Sequence, residues 1–274
     1  MIDIGANLAN KAFRGDLEAV LRRARLAGVT TIVATGTSES VSRAALEIAR
    51  DNGASADGPR VFATAGIHPH HAKDFSRGSL DTLRTLAGSP EVRAIGECGL
   101  DFDRNFSPRD AQLRCFEAQL ELAADLGMPV FLHERAAEDD FSAVLARFRP
   151  RLTRAVVHCF TGSAETLARY LDLDLHIGIT GWICDERRGT HLVDLVRRIP
   201  RDRIMIETDA PYILPRSMPR AERPRTGRNE PCFLRWVLEA VAKARNESET
   251  EFERATVATT KAFFDLPADD VKPH

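Results

Sequence analysis

Eight short apolar runs punctuate the chain, separated by longer segments of mixed polarity. They are DIGANL from residue 3, TTIVATG from 30, VFATAGIHP from 61, VRAIGECGLD from 92, PVFLHE from 129, RAVVHCF from 154, LHIGITG from 175 and RIMIETDAP from 203. Their starts lie about 29 residues apart on average, the length of one strand–loop–helix–loop unit. Apolar residues within each run are consecutive rather than alternating, as parallel strands covered on both faces require. The intervening segments carry helical periodicity. In LEAVLRRARLAG, Leu17, Val20, Leu21, Ala24 and Ala27 fall on one stripe, with Arg22, Arg23 and Arg25 mainly off it. Gly28, Gly53, Gly88 and Gly127 each follow such a segment, where a left-handed C-cap is expected. Ser107 is expected to cap a helix beginning at Pro108, with Asp110 as the acid of its first turn. Eight βα units without a linker predict an α/β fold, a closed (β/α)8 TIM barrel forming a single domain over residues 1–265. Two helices, near 232–245 and 248–263, end it, the last of them additional to the barrel, and 266–274 is expected as a tail. A doubly wound open sheet is the alternative, because strand order is not written in one sequence.

Composition narrows the picture. The 274 residues suit one such barrel, and 43% hydrophobic with 28% charged residues excludes extended disorder. With 38 Lys and Arg against 40 Asp and Glu, the formal net charge of −2 excludes a wholesale basic surface of the kind that coats duplex DNA. The N-terminus lacks the basic and apolar pattern of a secretion signal, and no run approaches the roughly 18 apolar residues of a membrane span. The five cysteines, Cys98, Cys115, Cys159, Cys184 and Cys232, are odd in number and scattered, so free thiols and a cytoplasmic setting are expected. One local departure stands out. Residues 212–231 form a long Pro- and Arg-rich segment, and within its stretch 216–228 Arg216, Arg220, Arg223, Arg225 and Arg228 are offset only by Glu222. Such a loop can track a phosphate backbone, although Arg is also this chain's preferred surface cation.

The C-terminal rim of a barrel carries its chemistry, so the polar residues ending the apolar runs are the ones to weigh. Five runs end in candidates: His68, Glu97, His133, His158 and Asp209. Each alone reads as an ordinary rim residue. If the barrel closes, imidazoles and carboxylates converge on one rim as a mixed nitrogen and oxygen site for Zn²⁺, Mn²⁺ or Mg²⁺.

GECGLDF at 96–102, VVHCFTG at 156–162, IGITGW at 177–182, IETDAPYILP at 206–215 and RNEP at 228–231, in this order, resemble the TatD family of metal-dependent deoxyribonucleases, amidohydrolase-like barrels. The resemblance runs from Asp3 to about Phe264. It implies a metal set of Glu97, His133, His158 and Asp209, with Glu97 and Asp209 catalytic and Asp209 taking a proton from the attacking water. It implies substrate contacts from His68 and His70, to which the residues add Arg225, Arg228, Asn229 and Trp182, with Phe102, Phe106 and Tyr212 placed to stack a base. It further implies one or two divalent ions, Mg²⁺ foremost, and 3′→5′ exonuclease action on single-stranded DNA or RNA ends by a monomer serving DNA repair or turnover. A metal-dependent ester or amide hydrolase, such as an aminoacyl-tRNA deacylase, is the alternative activity. Two departures are visible. Many members begin with an HxH pair where this chain has Gly5 and Asn7, which weakens the case for a second ion. Ala136 stands where an acid is common.

Overall fold

The computed structural model describes residues 1–52 and 57–267. Eight strands, β1 (Ile2–Ala6), β2 (Thr31–Ala34), β3 (Arg60–Ala65), β4 (Val92–Asp101), β5 (Val130–Arg135), β6 (Ala155–Val157), β7 (His176–Ile179) and β8 (Ile204–Ile206), form one sheet in sequential order. Every neighbouring pair is parallel. The helices α1 (Leu17–Leu26), α2 (Glu39–Asn52), α3 (Arg77–Ala87), α4 (Arg109–Leu126), α5 (Glu138–Phe148), α6 (Ala164–Asp172), α7 (Thr190–Leu195), α8 (Leu234–Arg245) and α9 (Glu249–Phe264) alternate with the strands and then end the chain's described part.

The ring closes between the first and last strands. Just past β8, Asp209 N–H donates to Gly5 O at 2.8 Å and Asn7 N–H to Ala210 O at 2.7 Å, and Ala6 bridges Ala210. Asp3 seals the seam from inside. Its buried carboxylate accepts Thr208 N–H at 3.0 Å and Thr208 O–H at 2.6 Å. Closure around the ring selects the TIM barrel over the open sheet.

Ile4, Val33, Ala94, Phe131, Val156 and Met205 fill the barrel interior, and Phe263 and Phe264 of α9 join the same cluster. The extra helix thus plugs the end of the barrel opposite the catalytic rim, against the entry of β7. His176, the first residue of β7, is buried there with its ring edge-on to Phe263 at 4.8 Å and with Nδ1 lacking a partner. Burial, with help from Arg203, lowers its pKa to about 4. An imidazole that must stay neutral in the fold but is free to charge when unfolded favours the native state above pH ~6.5 and withdraws that support as pH falls toward 4. Denaturant melts at pH 7 and 4.5 are expected to show a loss of stability about 2–3 kcal/mol smaller in His176→Phe than in the wild type. An identical loss in both would remove His176 as the cause.

Local capping departs from the expected pattern at several points. Gly127 is the left-handed C-cap of α4, with φ of 64°. Gly28 also takes a positive φ, whereas Gly88 caps α3 in right-handed geometry with φ of −71°. Gly53 lies outside the described residues, as do residues 268–274 of the expected tail. Ser107 does not cap α4, for which Pro108 is the N-cap. Its hydroxyl instead donates to His70 O and accepts Lys73 N–H, tying the loop after β3 to the one before α4. All five cysteines are free. Among the described residues no helix is long and apolar enough to cross a membrane.

Candidate metal centre

Glu97 owes its position to an irregularity in β4. Pairing with β5 runs Gly96 to Phe131 and then Cys98 to Leu132, so Glu97 is the extra residue of a bulge. A bulge bends the strand and re-aims a side chain. Two glycines permit it here: Gly96 and Gly99 adopt φ of 134° and 144°, and a Cβ on either would run into the β5 backbone. The strand therefore does not end at Glu97, as its apolar pattern suggests, but continues to Asp101.

Three imidazoles gather on one oxygen of this buried carboxylate. Glu97 Oε1 lies 2.8 Å from His158 Nε2, 3.0 Å from His133 Nδ1 and 3.3 Å from His68 Nε2. The ligand atoms of His68, Glu97 and His133 all fall within 4.8 Å of one another. Burial alone would raise the Glu97 pKa, but the charges of His158 and His68 and the hydrogen bonds of His133 and His158 outweigh it and hold the group ionised. Burial likewise works against protonating His158 and His133, and the carboxylates facing them reverse that in both. A buried carboxylate that keeps two imidazoles charged is a site built around positive charge.

His68 differs from its neighbours. Burial brings its pKa down to about 4, against the pull of Glu97. Its Nδ1 accepts the His70 backbone N–H at 3.1 Å, which leaves the ring proton on Nε2, facing Glu97. A metal ligand needs a lone pair at that atom, so His68 stands in the group as a donor.

Asp101 is the polar residue that the sequence pattern hides. It is fully buried, 2.7 Å from His70 Nε2 and 3.6 Å from His133 Nε2, while its other oxygen accepts the backbone N–H groups of Asp103 and Arg104. Burial opposes its ionisation, but the facing imidazoles of His133 and His70 prevail and keep it charged. His70 thus reaches the group through Asp101. Glu207, just beyond β8, is a second buried carboxylate passed over in the pattern, 3.5 Å from His158 Nδ1.

Asp209 follows β8 on the opposite wall and adopts φ of 52°. Asn7 Nδ2–H donates to its Oδ1 at 2.9 Å. Burial, opposed by His158 and reinforced by Glu97 and Glu207, raises its pKa to about 7. The first strand therefore serves two carboxylates: Gly5 leaves room for Glu207, and Asn7 orients Asp209.

The outer candidates are distributed differently. Arg228 is taken up by Asp16 and Glu230, each at 2.7 Å, and by the Ala12 carbonyl. Asn229 is buried, its amide donating to the carbonyls of Thr208, Tyr212 and Ile213 and its oxygen accepting Glu230 N–H. Both polar groups are thus spent on clamping the loop that follows Asp209. Arg216 pairs with Asp185 and Glu186, and Arg223 donates to Met218 O. Arg220 and Arg225 are exposed and, among the described residues, their guanidinium groups have neither ion pair nor hydrogen bond. Trp182 is half-buried under the Arg188 guanidinium, 5.3 Å from its ring centre. Asp185 opens a turn by accepting Arg187 and Arg188 N–H, and α7 begins only at Thr190. Phe106 and Tyr212 are exposed, Phe106 lying edge-on to His70 at 4.7 Å, whereas Phe102 is half-buried under Arg109.

The group fits a divalent cation on its own chemistry. Its donors are two imidazoles and a carboxylate: His133 Nδ1 and His158 Nε2 lie 3.4 Å apart and within 3.0 Å of Glu97 Oε1, so three ligand atoms converge on one point.

The profile of the family described as TatD related DNase matches residues 2–265. A relative from Erwinia billingiae named 3′-5′ ssDNA/RNA exonuclease TatD is 50% identical over 268 residues, 98% of this chain and 100% of its own. A relative of the same name from Pantoea ananatis is 48% identical over 97% of this chain and all of its own. Among solved structures, the TatD homologue YJJV of Escherichia coli superposes with a TM-score of 0.87 at 28% identity, covering 97% of this chain and 98% of its own. A TatD family hydrolase of Entamoeba histolytica gives 0.86 at 26% identity, covering 96% and 97%. With a barrel, a histidine–carboxylate centre and a sequence match spanning 2–265, the chain belongs to the TatD related DNase family.

Proposed function

We propose that the chain is a divalent-metal-dependent exonuclease that removes nucleotides from the 3′ ends of single-stranded DNA or RNA, with Mg²⁺ as its working ion. The observation that carries this reading is the gathering of three imidazoles on Glu97 Oε1 at the catalytic rim. The bond cut and its polarity follow the names of relatives that are half identical over the whole chain. Glu97, His133 and His158 hold the cation, with Asp209 beside them. When bound, such an ion polarises the phosphoryl group and neutralises charge on the departing oxygen. Asp209 accepts the proton of the attacking water. Burial raises its proton affinity above that of an ordinary carboxylate, and Asn7 holds one oxygen so that the other is free for the transfer. His68 and His70 stand beside the ion to meet the substrate phosphate, His68 with its Nε2–H on Glu97 and His70 on Asp101. Arg220 and Arg225 are the loop cations left free to follow the strand backbone, and Phe106 and Tyr212 offer exposed faces to its bases. Free thiols fit a reducing cytoplasm, where we place the protein as a monomer.

End-labelled single strands with free or blocked 3′ ends, incubated with Mg²⁺, Mn²⁺ or Zn²⁺ and then with EDTA, test the reading. Mononucleotide release that needs both a free 3′ end and the ion is expected. No metal-dependent release rejects it. If an aminoacyl-tRNA in the same panel instead loses its amino acid while the RNA stays intact, the activity is ester hydrolysis.

A further inference from the structure

We propose that Glu207 is a positioning residue: its buried carboxylate fixes the His158 ring with the proton on Nδ1 and turns the Nε2 lone pair toward the cation site at Glu97. The proposal rests on the metal-site reading above and extends it to a residue outside the ligand set.

Glu207 is wholly enclosed, yet neither Lys nor Arg pairs with it among the described residues. Burying a carboxylate is costly unless something binds it. Oε1 accepts the Cys159 backbone N–H at 2.5 Å. Oε2 has no hydrogen-bond partner and faces His158 Nδ1 at 3.5 Å, which has none either. Two orphaned, complementary atoms facing each other in a dry interior define a contact that a small turn of the ring completes. One carboxylate then grips both the ligand ring and the peptide that follows it.

The chain makes deliberate room for this group. A Cβ on Gly5 of β1 would collide with Oε2, and one on Gly178 of β7 would come to 2.7 Å from Oε1. Two flanking strands thus give up side chains so that the carboxylate can lie behind His158. The opposite ring atom, Nε2, is 2.8 Å from Glu97 Oε1. A neutral imidazole carries one proton. On Nδ1 it satisfies Glu207 and leaves Nε2 free for a cation. On Nε2 it would set the Nδ1 lone pair against a buried carboxylate. A carboxylate behind a ligating histidine selects the tautomer and raises the ring's strength as a donor. For His133 the residue behind is Asp101, which is shared with His70. Among the described residues Glu207 has no other side chain to serve.

The test uses the full chain stripped of metal, with Glu207→Gln, Glu207→Ala and Gly5→Ala compared with the wild type. Mn²⁺ binding is followed by titration without nucleic acid, and the His158 tautomer by ¹⁵N NMR in the Zn²⁺-loaded protein. Glu207→Ala is expected to weaken Mn²⁺ binding by about 10–100-fold, the usual effect of removing a residue behind a ligand. Glu207→Gln, which keeps an acceptor but not the charge, should fall between. Gly5→Ala, which displaces the carboxylate without changing a polar group, should resemble Glu207→Ala. Should Glu207→Ala fail to fold, Glu207→Gln decides. Mn²⁺ binding within about twofold of wild type with the Nδ1–H signature intact overturns the proposal, even if melting temperature falls, and leaves Glu207 as a clamp on the Cys159 peptide. Because no nucleic acid is present, the result stands apart from whether the chain cleaves 3′ ends.

Discussion

Glu97→Gln is expected to reduce Mg²⁺-dependent release of 3′ nucleotides by about 10³-fold or more, the scale of the several kcal/mol that a catalytic cation supplies. The substitution keeps size and shape, and it removes the one charge on which His158, His133 and His68 converge at 2.8, 3.0 and 3.3 Å. Without it the three rings face a neutral amide, and no other carboxylate belongs to the tight group. The protonated form of His158 loses its largest stabiliser, while that of His133 loses Glu97 and keeps Asp101. Apparent Mn²⁺ affinity should fall together with turnover. Circular dichroism and melting temperature report whether the barrel persists, since taking one member from a buried charged group can itself cost about 3–5 kcal/mol. If the folded variant keeps a tenth of wild-type activity, Glu97 is not the carboxylate that gathers the ion.

The barrel could be read in the chain because buried parallel strands write themselves as continuous apolar runs, and each of the eight runs overlaps a strand. Single residues at the ends of short strands, such as His158 and Asp209, could be read for the same reason. What escaped was set by partners distant in sequence. The β4 strand runs on to Asp101 because a bulge shifts its register against β5, and a register belongs to two strands rather than one. The glycines around Glu97, in GECG, were the available sign. Glu207 lies two residues before Asp209 in the same IETDAP motif, just past a short strand. Its burial depends on Gly5 and Gly178 on two other strands. Arg228 looked like one more cation in a basic loop, but its partner Asp16 is 212 residues away. Asn229 looked like a site residue because it sits in a motif, and the motif proves to secure the loop. In both cases composition located the loop, while the pairing that distinguishes a structural arginine from a free one is a tertiary fact.

Asp209→Asn is expected to lower turnover by about 10²–10⁴-fold, the range for loss of a general base, while the fold is kept. The backbone at 209 has a φ of 52°, in the left-handed region that Asp and Asn tolerate better than other side chains. The replacement can therefore adopt the same turn, and its amide oxygen can still accept from Asn7 Nδ2, now 2.9 Å from Oδ1. What disappears is the second carboxylate oxygen as a proton acceptor. Removing a carboxylate whose ionisation is opposed by burial and by Glu97 and Glu207 relieves repulsion in the folded state. Melting temperature at pH 8, where the wild-type group is ionised, should thus be equal or higher in the variant. Single-turnover kinetics on a 3′-ended single strand, with a melt at the same pH, separate the two effects. A slow but stable enzyme is the expected result, and KM close to wild type would show that substrate is still gripped by the rest of the rim. Activity within tenfold of wild type would move the base elsewhere and leave Asp209 as a charge that tunes His158.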